Sequence, residues 1–479
     1  MKLRTIIFFM IFIVGITNAE TLVLDLDTAK EIALENNPTI KIAEKGVNRA
    51  KAQITEARGG MLPSINAFSS LDHAWDLQKN VIPNFLKPSL APLYGDIGNA
   101  LVTLGDQFES QALTNQGIGM LQAGDMMPDY LEMAFGLENT LVYGVQLQQP
   151  LFAGGAILNG YKISKFGLDI AKSQLESVTQ SLLDNVTQTY YFALFAKSAW
   201  EVSEEALASA EENLSQVQKF FDSGKASKLD LLRAEVEVAN LKPSVISAEN
   251  GLKMAFSRLN IILGFDSDKD VVLSDKLEYT ECDLQKMTLE ELVKMAKHNR
   301  PEIAILQTQQ KIVDKQLAIS KGAFLPTVAL GTTYQYMGMR NDLDYTGDDF
   351  NKSFNTSVTL SIPLFNGFRK SSQVQQAKIA KFEMKDQMNS AVDGIQMEVE
   401  SGYFLLKEAE KKVETQEKTI EQAKEALRLA TLMYKEGAAT QLDVLNSNLA
   451  LKSARMNYQQ SLLEFNNAIS QLKKAINKQ

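Results

Sequence analysis

Two internal repeats constrain this chain more than any other feature. Residues 25–63 recur as residues 288–326, an offset of 263, and a later block recurs at an offset of 213, with Pro150–Gly154 matching Pro363–Gly367. Solenoid repeats are only about 20 to 50 residues long, so the sequence predicts a duplicated domain whose halves form one pseudo-symmetric body. The matched positions are Leu26/Leu289, Ala33/Ala296, Asn36/Asn299, Pro38/Pro301, Leu62/Leu325 and Pro63/Pro326, then Gly224/Gly437, Leu229/Leu442, Asp230/Asp443 and Leu232/Leu445.

The first copy is 50 residues longer than the second (263 minus 213), and the excess must lie between Pro63 and Pro150. We therefore divide the mature chain into a first repeat, residues 20–270, and a second repeat, residues 271–479. An inserted loop is expected at about residues 72–138. Its prolines and apolar patches favour a folded segment over a flexible tail.

The N-terminus has the pattern of a secretory signal. Lys2 and Arg4 precede an apolar run, and small residues at Thr17–Ala19 provide a cleavage site, so residues 1–19 are predicted to be removed. The apolar run is shorter than the roughly 20 residues of a spanning helix, which disfavours the alternative of an uncleaved anchor.

Charge and cysteine content narrow the possible partners. The whole chain carries a formal charge of -9, and removal of Lys2 and Arg4 leaves 47 basic against 58 acidic residues, a charge of -11. Binding along nucleic acid is thereby disfavoured. Cys282 is the only cysteine, so it cannot form an intramolecular disulfide, and it does not follow the signal where a lipid would be attached.

Four segments alternate apolar and polar residues: about 62–73, 139–151, 325–337 and 353–364. Each is close to the 9 to 11 residues that a tilted strand needs to cross a bilayer. A strand half-buried in a soluble protein would show the same alternation. The secretory signal and the long helices favour the membrane interpretation.

Long helices are predicted at 156–222, 227–263, 368–435 and 440–476. About 66 residues without proline give a rod of about 100 Å, too long for a compact globule. The late part of the first helix has apolar residues at alternating spacings of three and four, which predicts coiled-coil pairing. The predicted seam comprises Leu207, Ala210, Leu214, Val217 and Phe221, and on the return helices Leu229, Leu232 and Val236 with Leu442, Leu445 and Leu449.

The strand count predicts an oligomer, because four strands cannot close a barrel and lipid does not tolerate open sheet edges. A dimer would supply eight strands and a trimer twelve. Polar alternate positions such as Gln146, Gln148, Asn355, Ser357 and Ser361 require a wet interior, which favours twelve strands and a homotrimer.

The chain resembles the TolC-type outer-membrane efflux proteins over essentially its whole mature length. The resemblance rests on the duplicated Asn-Pro and Leu-Pro elements, on the PLFAGG and PLFNG strand ends, and on the Phe/Tyr-x-x-Gly turns followed by Asp. It implies a mostly helical α+β fold, in which a trimeric 12-stranded outer-membrane barrel continues into a periplasmic helical barrel. Outer-membrane lipid, a periplasmic adaptor and an inner-membrane transporter would be its partners.

The implied function is a passive exit duct for a tripartite efflux or type I secretion system. The sequence does not identify the cargo. A non-transporting periplasmic or surface coiled-coil scaffold is the alternative, and heat-modifiable trimers in the outer-membrane fraction would favour the duct.

The resemblance also implies that the turns ending the long helices dock the adaptor. These residues are Gly224, Lys225, Ala226, Ser227, Gly437, Ala438, Ala439 and Thr440. The glycines equally suit left-handed helix ends, and Ser227 and Thr440 suit N-caps.

A periplasmic gate is the second implied site. Asp230 and Tyr434 match a bonded pair of the family, although the supporting arginine is replaced by Ala439. Asp443 matches an aspartate that narrows the entrance, while Asn446 stands where a second aspartate would be. Three copies of Asp443 would form an anionic ring; the alternative is that Asp443 only stabilises its helix N-terminus.

Catalytic and cofactor sites are not predicted. His73 and His298 are the only histidines, and neither metal-ligand spacing nor a phosphate-binding loop is present. Asp348 and Asp349 are interpreted as a solvated hairpin tip.

Overall fold

The computed structural model describes residues 22–134 and 136–478, so the predicted signal lies outside the described residues. Within them the chain forms two compact units. Unit 1 contains residues 22–58, 155–323 and 365–478, and unit 2 contains residues 59–134, 136–154 and 324–364.

The described residues form ten α-helices and eight β-strands. The helices are α1 (Leu26–Asn36), α2 (Pro38–Gly59), α3 (Lys87–Gln107), α4 (Gln111–Asp125), α5 (Ala156–Asp222), α6 (Lys228–Leu263), α7 (Leu289–Asn299), α8 (Pro301–Gly322), α9 (Arg369–Lys435) and α10 (Gln441–Ala475). The strands are β1 (Leu22–Leu24), β2 (Ser64–His73), β3 (Lys79–Pro83), β4 (Tyr130–Ala134), β5 (Asn139–Ala153), β6 (Val271–Leu273), β7 (Thr327–Arg340) and β8 (Phe350–Ser361).

Unit 1 is built on the long helices α5 and α9, each of 67 residues. At 1.5 Å per residue each is about 100 Å long. Each then reverses at a glycine with positive φ, Gly224 or Gly437, and returns as α6 or α10. No helix among residues 22–134 and 136–478 is both long and apolar enough to span a membrane.

The pairing of α5 with α6 corrects one part of the sequence interpretation. Ala210 and Val217 of α5 are buried, as a coiled-coil seam requires, but their α6 partners are Leu231, Ala234, Val238 and Leu241. The expected residues are exposed instead: Leu229 by 56%, Leu232 by 44% and Val236 by 56%. Both sets have spacings of three and four, but the buried set continues along the helix to Ala255 and Leu259, so it buries more apolar surface.

The short helices α2 and α8 begin where the return helices end. The Asn37 amide, just before α2, donates a hydrogen bond to the carbonyl of Ile262 over 2.9 Å. The Arg300 guanidinium, just before α8, donates to the carbonyl of Ala475 over 2.7 Å. Each bond satisfies one backbone carbonyl in the last turn of a return helix, where intrahelical donors are lacking, and so stabilises the junction.

The largest core of unit 1 surrounds the fully buried Tyr190 of α5. Its hydroxyl lies 3.1 Å from the Leu24 carbonyl in β1 and donates to the Asp275 carboxylate over 2.8 Å. Burial, and then hydrogen bonding to Asp275, raise the pKa of Tyr190, so the phenol remains a donor. Strands β1 and β6 pair in parallel beside it.

Unit 2 contains a four-stranded antiparallel sheet in the order β2-β5-β7-β8. Its register places the apolar alternate residues of neighbouring strands opposite one another: Ile65 pairs with Leu147, Val145 with Tyr334, and Leu330 with Val358. The polar alternates are aligned in the same way, for example Gln146 with Thr333 and Asn355. The sheet therefore has one apolar face and one polar face.

The expected insert, about residues 72–138, is a folded module in unit 2. Strands β3 and β4 pair in antiparallel fashion, and α3 and α4 form a helical hairpin between them. The two helices approach closely because glycines face each other. A Cβ on Gly117 would lie 2.6 Å from the Gly98 carbonyl oxygen and 2.8 Å from the Val102 nitrogen.

Candidate functional site at the two helix reversals

The candidate site consists of the first reversal (residues 221–227) and the second reversal (residues 434–440), both in unit 1. Gly224 and Gly437 both have φ of +75°, a conformation that glycine adopts without the cost imposed by a Cβ. The Lys225 amide donates to the Phe220 carbonyl over 2.7 Å, and the Ala438 amide donates to the Met433 carbonyl over 2.8 Å. Both turns thus close as helix C-caps of the Schellman type.

Each return helix begins with a reciprocal capping box. Ser227 donates its amide to Asp230 over 3.1 Å and its hydroxyl over 2.6 Å; Thr440 does the same to Asp443 over 2.8 Å and 2.6 Å. The Asp230 and Asp443 amides donate back to the hydroxyls over 3.1 Å and 3.3 Å. Asp443 therefore stabilises the N-terminus of α10, which is the role considered as the alternative to an anionic ring.

The expected gate pair is close in space but is not hydrogen-bonded. The Tyr434 ring lies 5.8 Å from the Phe220 ring and packs against the cluster of Val217, Leu231 and Ala234. Burial, and then the negative charge of Asp230, raise the pKa of Tyr434. Among the residues that the structure describes, the Asp230 carboxylate bonds Ser227 rather than the Tyr434 hydroxyl.

Arg233 is a residue that the sequence reasoning missed. Its guanidinium lies 3.8 Å from the Asp230 carboxylate, one helical turn away. The sequence signal for this contact was the spacing of three residues between Asp230 and Arg233, which places both side chains on one side of the helix. A basic group therefore accompanies Asp230 although the arginine position of the family is Ala439.

The remaining site residues differ in accessibility. Asp443 and Asn446 are exposed, and so is Ala438, whereas Ala226 is half-buried against the Tyr434 cluster. The Thr440 hydroxyl and amide hold the pKa of Asp443 below its usual value, so the carboxylate is charged at neutral pH.

Among residues 22–134 and 136–478, no group of three or more His, Cys, Asp or Glu side chains is arranged to hold a metal ion. Asp349, interpreted as solvated, accepts two hydrogen bonds from Arg340 over 3.0 Å and 2.9 Å and closes the β7–β8 loop.

Solved structures that are similar in fold to this chain include outer-membrane channels. The CmeC channel of Campylobacter jejuni superposes with a TM-score of 0.72 at 19% identity, covering 94% of this chain and 85% of that chain. The outer-membrane channel OprN gives 0.71 at 16% identity, with 95% and 90% covered. These similarities define the class of fold, the mostly helical fold of TolC-like outer-membrane channels.

The sequence comparison then gives the family. The chain belongs to the outer membrane efflux protein family, whose model matches residues 134–265 and 292–478. Outer membrane protein TolC of Vibrio cholerae is 23% identical over 308 residues, 64% of this chain and 70% of that protein. Cation efflux system protein CusC of Escherichia coli K12 is 21% identical over 290 residues; the match spans 60% of this chain and 61% of CusC.

Three expectations from the sequence are thereby confirmed. The chain is a TolC-type family member, it is an efflux channel protein, and it is located in the outer membrane. Members of this family are channels, which argues against the alternative of a non-transporting scaffold.

Proposed function

We propose that three copies of this chain form a 12-stranded outer-membrane barrel and a periplasmic helical tunnel, together the passive exit duct of a tripartite efflux or type I secretion system. The main observation that supports this proposal is the exposed apolar face of the four-stranded sheet. Ile65 is 65% exposed, Val358 66% and Leu360 59%. A sheet face of this kind requires an apolar surrounding such as lipid.

The open edges of the same sheet supply the argument for several copies. Within the described residues, β2 pairs only with β5 and β8 only with β7, so one edge of each is unpaired. Lipid would leave those backbone groups unsatisfied, whereas pairing β8 of one copy with β2 of the next satisfies them. Three copies enclose a wet interior suited to the polar face, while eight strands would fill it with side chains.

Unit 1 has unpartnered apolar surface of its own. Leu229 and Val236 on α6, and Leu442 and Leu449 on α10, are at least 40% exposed although they lie on coiled-coil-like helices. The junction residues Asn37 and Arg300 are 263 apart, the offset of the first repeat. These features support a duplicated body whose neighbours in the trimer cover the exposed stripes.

Matched substitutions on the two sheet faces test the barrel. Val358→Lys places a charge on the apolar face, where a membrane strand loses about 2 to 4 kcal/mol near the bilayer centre. Thr359→Lys places the same charge on the polar face. We expect the first to abolish heat-modifiable trimers in the outer-membrane fraction and the second to retain them. Normal trimers with both variants, or a monomeric native mass of the wild type, would contradict the proposal.

The reversals are proposed to dock the adaptor. Ala438 is exposed at a turn whose backbone is held by its own hydrogen bonds, so Ala438→Glu should change the presented surface without unfolding the turn. Ala226 is less suitable, because it packs in the Tyr434 cluster. We expect Ala438→Glu to retain trimers but abolish efflux, with Gln422→Glu on exposed α9 surface as the control. Full efflux with Ala438→Glu would exclude docking at this turn.

The sheet topology also supports an outward-facing insert. The strand ends at Ser64 and Ala153 are connected in sequence to α2 and α5, whereas the insert and the β7–β8 loop are connected to the opposite strand ends. Protease digestion within residues 85–130 on intact cells is the expected result. Digestion only after opening the outer membrane would place the insert inside.

A further inference from the structure

The inserted helix α3 has three distinct faces. One face carries small residues, Ala91, Gly98 and Gly105, and packs against α4. A second face is polar, with Asp96, Asn99 and other side chains in solvent. The contact with α4 accounts for the small face only, so the third face needs a separate explanation.

That third face is an apolar stripe without a partner in the described chain. It consists of Leu90, Leu93, Ile97, Ala100 and Leu104, at spacings of three, four, three and four. Leu93 is 50% exposed, Ile97 40% and Leu104 42%. We call these five residues the α3 seam. A 3.5-residue repeat is the signature of a helix that packs against other helices along its length.

The charges around the α3 seam disfavour a lipid surface as its occupant. The helices α3 and α4 contain Asp96, Asp106 and Asp125 but Lys87 as their single basic residue. Lys87 is already bound to Asp129 over 2.7 Å. Helices that lie on anionic membranes carry basic residues on their polar face, and this hairpin has the opposite charge.

A second and a third copy of this chain are favoured by where the insert is attached. It follows β2, the edge strand that meets a neighbouring copy in the proposed barrel. Its base is held at the same end of the sheet, where His73 bonds Asn139 over 2.7 Å and the Asn139 amide donates to the Asp342 carbonyl over 3.3 Å. Threefold symmetry would repeat the insert around the barrel axis, and α3 helices that converge on that axis would present identical seams to one another.

We propose that the three inserted hairpins associate through their α3 seams and form a helical cap over the outer mouth of the barrel. This inference rests on the proposed trimer. Each seam covers the exposed Leu and Ile side chains of its neighbours, and the polar face of α3 remains in water. The cap restricts the width of the exit at the cell surface, a constraint separate from the periplasmic entrance.

Cysteine crosslinking of the full-length protein in intact cells tests the cap. In a Cys282→Ser background, Ile97→Cys places a thiol on the α3 seam, and Asn99→Cys places one on the polar face of the same helix. Disulfides form only when Cα atoms approach within about 7 Å, so we expect at least about tenfold more covalent dimer from Ile97→Cys. Dimers rather than covalent trimers are expected, since one thiol per chain joins two chains of three.

A second seam variant and a measurement of the native mass of the protein distinguish failure of the cap from failure of the trimer. Leu104→Glu added to Ile97→Cys should remove the crosslink while heat-modifiable trimers persist. Trimers in which both cysteines crosslink equally, or not at all, would overturn the cap but leave the duct intact. Quenching of a fluorophore at Ile97 by brominated phosphatidylglycerol vesicles would assign the seam to lipid instead. A monomeric native mass would refute both the cap and the proposed trimer.

Discussion

Neutralising Asp443 without disturbing its helix separates the two roles considered for this residue. In Asp443→Asn the side-chain oxygen can still accept from the Thr440 amide and hydroxyl, now 2.8 Å and 2.6 Å away, so the capping geometry is retained. The negative charge is lost. If Asp443 only caps α10, ion selectivity will not change; if three copies form a ring, selectivity will fall.

The size of the effect follows from Coulomb attraction at the proposed ring. A monovalent cation about 8 Å from one carboxylate in water gains slightly less than the thermal energy, and three carboxylates at the same distance give about three times that stabilisation. At about 0.01 M salt, where the Debye length is about 30 Å, screening leaves a cation enrichment of roughly sevenfold. At about 1 M salt the Debye length is about 3 Å and the enrichment nearly vanishes.

Planar-bilayer recordings of reversal potentials measure this selectivity directly. We expect Asp443→Asn to lower the cation preference several-fold at low salt and to have little effect at high salt. Asp230→Asn is the matched control, because Asp230 occupies the equivalent capping box but is half-buried beside Arg233. Unchanged selectivity in Asp443→Asn at low salt would refute the ring, and equal losses in both variants would refute its assignment to Asp443.

Substitutions at Tyr434, Gly437 and Tyr190, and a pH series, have expected outcomes. Because the hydrogen bonds from Thr440 lower the pKa of Asp443, the cation preference should persist on acidification to about pH 5 and decline only below the usual aspartate range; a loss near neutral pH would exclude this carboxylate. Tyr434→Phe should leave conductance unchanged, since its hydroxyl does not bond Asp230, whereas Tyr434→Ala empties the cluster at Val217 and Leu231 and should open or destabilise the tip. Gly437→Ala should cost about 1 kcal/mol through its positive φ, measured as a lower trimer melting temperature, with Gly251→Ala inside α6 not expected to lower it. Tyr190→Phe should lower stability by about 2 kcal/mol, because the Leu24 carbonyl and Asp275 lose a buried donor; an unchanged melting temperature would show that water replaces it.

Local patterns explain why the long elements were predictable. The first long helix was expected at 156–222 and the structure has Ala156–Asp222, because the segment lacks proline and ends before a glycine with positive φ. The alternation around Val145 and Val358 also follows from one strand at a time, since a strand places successive side chains on opposite faces. The capping boxes at Ser227 and Thr440 likewise involve only four consecutive residues.

The inserted segment shows where local patterns were insufficient. The sequence indicated a folded loop at about 72–138, but not a helical hairpin between β3 and β4. Glycine is a poor helix former in isolation, so Gly98, Gly105, Gly117 and Gly124 gave no helical signal. Their role appears only when α3 and α4 pack, because a Cβ at Gly117 would collide with the backbone at Gly98.

The sequence by itself determined the family, the strand alternation and the positions of the helix reversals, because each depends on residues close together in the chain. Tertiary structure decided which of two equally spaced apolar series on α6 is buried, Leu231 and Val238 rather than Leu229 and Val236. That choice depends on how much apolar surface each packing buries, a quantity that exists only when distant segments meet.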